Sequence, residues 1–315
     1  MKAQSLFNCF SGYKKVLLFF MCLFFAYALA FSQSESISFH EGYAKITQKG
    51  KSGFIDKAGK IRVPCMYDYV NNFEGGFAVV RLKSKYGIIR KDGTELTAIK
   101  YDMCETFSDG MALIRVGAKY GFVNDSGEEI IKPAYEFAMG FNEGLAVISV
   151  NGKNGYIDKQ GEQIIAPKYD FSLPFSEGLA VVMSNAKYGY INKSGKEVLS
   201  LKYNMASAFS GNLATVRIGE KFAVINKAGK LVTLPIYDDV RAFENGIAIV
   251  LQDGKYGILN QNGREIISPK FDMIDSFTEG VAVYRQGGKL GYIDQTGKEI
   301  IALNIEHAKI LYASK

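Results

Sequence analysis

A phenylalanine recurs every 34 residues along this chain of 315 residues, without an insertion or a deletion. The eight positions are Phe39, Phe73, Phe107, Phe141, Phe175, Phe209, Phe243 and Phe277. A fixed period of this length is typical of tandem repeats, in which each unit stacks on its neighbours because it cannot bury an apolar face alone. The spacing therefore predicts eight similar units before any local structure is considered.

Small residues recur in phase with the phenylalanine. An alanine follows five residues later in every unit, and glycines mark three further positions, with Asn212 and Ala223 as the only substitutions. Three glycines per unit argue against helix-pair repeats of the same period, since each glycine costs about 1 kcal/mol in a helix. The short apolar runs between them, rich in β-branched residues, predict strands instead.

Each unit contains two kinds of turn. In seven units an Asp or Asn stands three residues before the third glycine, as with Asp158 and Gly161, which is typical of a type I turn. Pairs such as Asn151-Gly152 predict two-residue hairpins of type I′. Each unit is therefore predicted to be a three-stranded antiparallel meander, with strands near 145–150, 154–158 and 162–166 in the fourth unit.

A single sheet of this size cannot bury a core of its own, so neighbouring units have to share one. The predicted fold is all-β: a tandem array of eight meanders, open, curved and solenoid-like. A closed β-propeller is the alternative. Propeller blades normally contain four strands in about 40 or more residues, so three strands in 34 residues favour the open array.

The segments 187–196 (Lys-Tyr-Gly-Tyr-Ile-Asn-Lys-Ser-Gly-Lys) and 175–182 (Phe-Ser-Glu-Gly-Leu-Ala-Val-Val) resemble the repeat of the WG-repeat family. The resemblance extends from Phe39 to about residue 310. The chain has no tryptophan, and in five units an aromatic stands where the family carries it: Tyr86, Tyr120, Tyr188, Phe222 and Tyr256. The resemblance implies an all-β repeat domain, usually bacterial, without a defined catalytic activity, and it carries over no functional residues.

Residues 1–30 have the pattern of a secretory signal peptide. Three lysines precede an apolar run over 16–30, and Ala28-Leu29-Ala30 supplies small residues for cleavage. The run has 15 residues, fewer than the roughly 20 needed to span a bilayer. We expect a signal peptide (1–30), a lead-in (31–38), eight repeats (39–310) and a tail (311–315). The mature protein would be secreted, periplasmic or in the cell envelope, and would not span a membrane.

Composition argues against several functional classes. Without the three lysines of the leader, the net charge of +6 falls to +3, which is too weak to attract nucleic acid. The two histidines, His40 and His307, have no metal-ligand spacing, so neither a metal nor a cofactor is predicted. Cys65 and Cys104 stand at different places in the repeat, which favours buried free thiols over a disulfide.

Three recurrent side chains are candidate ligand groups. The acidic residue after the tyrosine, from Asp68 to Glu306, could bind calcium or act in acid–base pairs, but capping of its own turn explains its recurrence. The aromatics Tyr86, Tyr120, Tyr188, Phe222 and Tyr256 could stack on sugar rings, although packing between units is the simpler interpretation. The lysine before them, at 85, 119, 187 and 255, is interpreted as a solvated strand-edge residue.

The sequence therefore predicts an exported, non-enzymatic binding or scaffold module that presents an extended β surface to a protein or an envelope glycan. A hydrolase of envelope polymer, using His40 or His307, and a purely structural spacer are the alternatives. If a binding face exists, residues that vary between units should cluster on it: Lys83-Ser84, Gly117-Ala118, Asn185-Ala186 and Gly219-Glu220.

Overall fold

The computed structural model describes residues 38–303, which are all-β and contain no helix. They divide into two compact units, the first comprising residues 38–84 and 89–95 and the second residues 85–88 and 96–303. No helix in the described range could cross a membrane. The predicted signal peptide lies outside these residues.

Strands of the first unit alternate with tight turns. They are β1 (Phe39–His40), β2 (Tyr43–Gln48), β3 (Lys51–Asp56), β4 (Ile61–Tyr67), β5 (Tyr69–Val70) and β6 (Phe77–Leu82), and the end of β7 (Lys85–Arg90) also belongs here. Strands β1 to β4 form one antiparallel sheet in chain order, and β5 to β7 a second. The Phe54 and Phe73 rings, each 1% exposed, meet with centroids 4.5 Å apart.

The second unit contains six sheets in tandem, each built from consecutive antiparallel strands. The strands are β8 (Met103–Ser108), β9 (Met111–Val116), β10 (Lys119–Asn124), β11 (Glu129–Tyr135), β12 (Phe137–Ala138), β13 (Ala146–Val150), β14 (Lys153–Ile157), β15 (Gln163–Tyr169), β16 (Phe171–Ser172), β17 (Leu179–Ser184), β18 (Lys187–Asn192), β19 (Glu197–Tyr203), β20 (Met205–Ala206), β21 (Leu213–Ile218), β22 (Lys221–Asn226), β23 (Asp239–Val240), β24 (Ile247–Gln252), β25 (Lys255–Asn260), β26 (Glu265–Phe271), β27 (Met273–Ile274), β28 (Val281–Gln286), β29 (Lys289–Asp294) and β30 (Glu299–Leu303).

The predicted meander is confirmed, with one addition. The three strands expected in the fourth unit are β13, β14 and β15. A fourth strand, β12, pairs with β13 through Phe137↔Ser149 and Ala138↔Ile148. It has only two residues, too few to show an alternating pattern in sequence. Because six of the eight sheets have four strands, strand number no longer argues against a propeller.

Both predicted turns are confirmed. The Asp158 carboxylate accepts hydrogen bonds from the backbone N–H of Gln160 (3.0 Å) and Glu162 (2.8 Å), and Gly161 has a φ of 83°. At the hairpin, Asn151 and Gly152 have φ values of 51° and 70°, as a type I′ turn requires.

The middle glycine of the repeat is required by the third strand. A Cβ atom on Gly155 would lie 2.4 Å from the carbonyl oxygen of Ile165. The sixth unit carries Ala223 at this position, and there the third strand is replaced by an irregular segment. In that segment Thr233 takes the place of the buried Ile165, and its hydroxyl accepts a hydrogen bond from the N–H of Val224 at 3.0 Å.

The core of the second unit lies between consecutive sheets. Phe175 is fully buried with its ring centroid 4.9 Å from that of Tyr156, which belongs to the preceding sheet. Ala180 is also fully buried, because the recurrent alanine leaves room for the neighbouring sheet. The buried Phe141, Phe175 and Phe209 each meet an aromatic ring of the preceding sheet and so close a shared core, which fits the solenoid-like array predicted for these repeats.

A carboxylate two residues after the phenylalanine links one repeat to the next. The Glu177 carboxylate accepts from the N–H of Gly211 (2.7 Å) and Asn212 (2.9 Å), which form the equivalent turn one repeat later. The Lys227 ammonium lies 3.1 Å from the same carboxylate. We call this arrangement the inter-repeat clamp. It recurs for the following carboxylate–lysine pairs: Glu41–Lys91, Asp109–Lys159 and Glu143–Lys193.

The two charged members of the clamp are lost together. In sequence, the acid and the lysine stand 50 residues apart wherever both occur. Three positions lack the acid, and the residue 50 positions later is then not lysine: Gly75 and Asp125, Gly211 and Gln261, Asn245 and Gln295. This joint loss indicates that the lysine is retained for the ion pair, since a buried or half-buried carboxylate is costly without a partner.

Phe175→Ala should lower the free energy of unfolding by about 3–5 kcal/mol, because it leaves a cavity between two sheets. The matched control is Phe137→Ala, since Phe137 is 39% exposed and its removal opens no enclosed cavity. Denaturant unfolding of both variants measures the difference. Equal losses would contradict the assignment of the phenylalanine to a shared core.

Acid should weaken the clamp. The hydrogen bond from Lys159 holds the pKa of Asp109 below its usual value of 3.8, against the opposing effect of burial. A lowered folded-state pKa contributes stability that is present above pH 3.8 and is lost as the pH falls through the folded-state pKa. Asp109→Asn should therefore flatten the acid side of the curve of melting temperature against pH. The exposed control Asp239→Asn should leave that curve unchanged.

Candidate functional site

The five aromatics considered for ligand stacking are all half-buried at the start of a second strand. Each faces an aromatic of the third strand or of the segment that replaces it, as in Tyr120↔Tyr135 and Tyr188↔Tyr203. Tyr120 also meets Phe137 edge to face, with centroids 6.0 Å apart. Their packing on the cores is confirmed for Tyr120, Tyr188, Phe222 and Tyr256. Stacking on a ligand stays a prediction for the five.

The sequence suggested that the acidic residue after the tyrosine caps its own turn, and this interpretation is wrong. The Asp170 carboxylate accepts from the N–H of Asn185, at the next hairpin, and from the ammonium of Lys153. The hydrogen bond from Lys153 lowers the pKa of Asp170 most, and the hydrogen bond from the Asn185 N–H lowers it further. The interpretation failed because the partners stand 15 residues after and 17 before the acid. We call this set of contacts the lysine–acid ladder.

The positions that vary between units all lie at hairpin tips. Asn185 and Ala186 have φ values of 51° and 58°, so they are the two central residues of the turn between β17 and β18. Gly117-Ala118 and Gly219-Glu220 occupy the equivalent turns of the second unit, and Lys83-Ser84 that of β6 and β7. The structure therefore places them at one recurrent element, while their role in binding stays a prediction.

The histidines and cysteines form no site in the described part of the chain. The exposed His40 bonds to the Ser38 hydroxyl at 3.0 Å, and His307 lies outside the described residues. Cys65 and Cys104 are free, as predicted, and Cys104 is buried whereas Cys65 is only half-buried. Within residues 38–303, no group of three or more His, Cys, Asp or Glu is placed to hold a metal ion.

A pocket of about 590 Å³ lies at the turns of the sixth and seventh units. Its lining residues are Gly211, Asn212, Leu213, Asn226, Lys230, Leu231, Val232, Gln261 and Asn262. Pockets of about 300–1,000 Å³ are typical of small-ligand sites. This pocket coincides with Gly211 and Gln261, one of the three pairs of positions at which the inter-repeat clamp is missing.

Two further departures from the repeat shape the same pocket. Asn212 replaces the glycine that follows the clamp acid, at a φ of 65° that asparagine tolerates better than most residues. It adds a side-chain amide where other units have none. The irregular segment that replaces the third strand adds Leu231, 41% exposed, and Val232. The sequence identified Asn212 and Ala223 as irregular but gave no indication of a pocket, because the clamp partner is 50 residues away.

The lining combines amides with aliphatic side chains. Asn212, Gln261 and Asn262 have no side-chain hydrogen bond to other described residues, whereas the Asn226 oxygen is used by its own turn. An amide offers two donors and an acceptor and does not titrate near neutral pH. Lys230 supplies the single charge. Such a pocket can hold a polar ligand by hydrogen bonds with an apolar face against the leucines.

Comparison with known proteins identifies the repeat. A family model described as "WG containing repeat" matches seven consecutive segments, at residues 53–86, 86–120, 120–153, 155–188, 188–222, 223–256 and 256–289. No curated protein matches the sequence.

Several solved structures of β-propeller-like proteins are similar. A eukaryotic initiation factor is 12% identical with a TM-score of 0.53, over 84% of this chain and 85% of its own. Kluyveromyces lactis Hsv2 (12% identity, TM-score 0.41, 73% and 96% coverage) and BamB from Moraxella catarrhalis (10%, 0.37, 70% and 77%) are less similar in structure. At these identities the likeness to the initiation factor is one of fold alone. The seven family matches span most of the chain, and it belongs to the WG containing repeat family.

Proposed function

We propose that this WG-repeat protein is an exported, non-enzymatic binding module, and that the pocket of the sixth and seventh units is its binding site. The observation that carries the proposal is the coincidence of the pocket with one of the three missing clamps, that of Gly211 and Gln261. The clamp is present between the fifth and sixth units, where Glu177 binds Gly211 and Lys227. One repeat later both charged residues are absent, and the space that they would fill is open.

The chemistry of the lining supports binding rather than catalysis. General acid–base catalysis needs a group whose pKa lies near the working pH, and amides have none. Amides instead pair with hydroxyls and with other amides, the groups that glycans and peptides expose. The partner is therefore a protein or an envelope glycan, and the envelope as location rests on the leader-like residues 1–30.

Restoring the clamp should abolish binding without unfolding the protein. A Cβ on Gly211 meets no atom within 4 Å, and Glu177, at the equivalent position one repeat earlier, has a φ of 53°. We therefore expect the double variant Gly211→Glu, Gln261→Lys to fold and to fill the pocket. Capture of peptidoglycan fragments and envelope proteins on the immobilised protein measures binding, which should fall at least tenfold.

The matched control removes a clamp elsewhere. Glu143→Gly with Lys193→Gln breaks the equivalent pair between the fourth and fifth units and leaves the pocket intact. This variant should lose some stability but retain full capture. If the clamp-restoring variant captured as much material as the wild type, the pocket would not be the binding site.

Export has a separate test. Full-length protein expressed in a bacterium should be recovered outside the cytoplasm and shortened by its leader. Leu23→Arg places a charge in the apolar run and should keep the protein cytoplasmic at full length, whereas Ser34→Arg, beyond the run, should not. Cytoplasmic, unprocessed wild-type protein would contradict export.

A further inference from the structure

The ion pair of the lysine–acid ladder is missing at two positions among the described residues. Five of its lysines form ion pairs with the aspartate 17 residues later: Lys51–Asp68, Lys85–Asp102, Lys153–Asp170, Lys221–Asp238 and Lys255–Asp272. In the third unit Lys119 and Glu136 stand at these positions without an ion pair, and in the fifth unit Asn204 replaces the acid. Within residues 38–303 no ion pair involves Lys187, and its charge is left uncompensated.

A second pocket lies beside this lysine. It has a volume of about 510 Å³, and Lys168, Lys187, Ser184, Asn185 and Glu197 supply its polar lining. The Lys168 ammonium lies 5.1 Å from the centroid of the Tyr169 ring, which fixes it on one wall by a cation–π contact. Two ammonium groups, a hydroxyl and an amide therefore line one pocket, and all of them can donate hydrogen bonds.

Glu197 adds one negative charge to the lining. Its equivalent two repeats earlier, Glu129, is neutralised by a lysine. Lys100 and Glu129 stand in the same repeat positions as Lys168 and Glu197, and they form an ion pair at 2.7 Å. No ion pair joins Lys168 to Glu197 in the described structure, so both charges remain available to a ligand. The lining has two positive charges and one negative charge.

We propose that this pocket binds an oxyanion, a carboxylate or a phosphate, carried on a hydroxyl-bearing ligand. The oxyanion lies between Lys168 and Lys187, and a ligand hydroxyl donates to Glu197. Charge-assisted hydrogen bonds of this kind are about twice as strong as neutral ones. The inference rests on the Asn204 position and this pocket alone, and it does not depend on the amide-lined pocket proposed above.

The test compares ligands that differ in one group. Titration of the purified protein with D-glucuronate and with D-glucose, followed by ligand-observed NMR, isolates the carboxylate. We expect glucuronate to bind at least tenfold more tightly than glucose. Inorganic phosphate, added as a competitor, distinguishes a site for any oxyanion from a site for sugar carboxylates. Displacement of glucuronate supports a general oxyanion site, and failure to displace it supports a site for sugar carboxylates.

Two variants assign the binding to this pocket. Lys187→Gln should weaken glucuronate binding at least tenfold, whereas Lys153→Gln, the paired lysine of the preceding unit, should have no effect. Asn204→Asp keeps every lining residue and gives Lys187 the partner found in other units, so it should weaken binding as well.

Equal affinity for glucose and glucuronate, no binding of glucuronate by the wild type, or unchanged binding by Lys187→Gln would each overturn the proposal. The double variant Gly211→Glu, Gln261→Lys should bind glucuronate normally. This result separates the oxyanion pocket from the amide-lined pocket, so that either proposal can fail without the other.

Discussion

The burial of aromatic and aliphatic side chains between consecutive sheets is the interaction on which the rest of the second unit depends. A sheet of three or four short strands cannot shield a core by itself. Phe175, Tyr156 and Ala180 are all fully buried because two sheets enclose them. Where a clamp is present, it joins equivalent turns one repeat apart, as Glu177 does with Gly211 and Asn212.

This dependence explains why the departures from the repeat are informative. A regular repeat places a carboxylate and a lysine between its turns, and the amide-lined pocket lies at Gly211 and Gln261, where both are missing. The sixth unit combines several departures: Gly211, Asn212, Ala223 and Thr233. Ala223 and Thr233 occur in the same unit, where an irregular segment replaces the third strand and the Thr233 hydroxyl accepts from the N–H of Val224.

Most of the fold could be predicted from the sequence, because the phenylalanine, glycine and alanine positions each follow from a local or nearest-neighbour requirement. The turn at Asp158 and the hairpin at Asn151-Gly152 were predicted from residues within four positions of each other. The two-residue strand Phe137–Ala138 was missed, since it is shorter than any periodic signal.

The site could not be predicted to the same extent. Its partners, such as Gly211 and Gln261, are 50 residues apart, and neither residue type suggests a ligand. The function of the acidic residue at Asp170 was misinterpreted for the same reason, because its contacts come from other turns. Comparison of equivalent positions between units, rather than inspection of one unit, is the signal that could have revealed both pockets.

The clamp joins the fifth and sixth units but not the sixth and seventh. Amide hydrogen exchange at equivalent turns tests this difference directly. The N–H groups of Gly211 and Asn212 donate to Glu177, whereas those of Asn245 and Gly246 have no such carboxylate, because residue 211 is glycine. Exchange should be slower at 211–212 than at 245–246, and Glu177→Gln should reduce the difference. Equal exchange at the two turns would show that the Glu177 carboxylate does not hold the turn at 211–212.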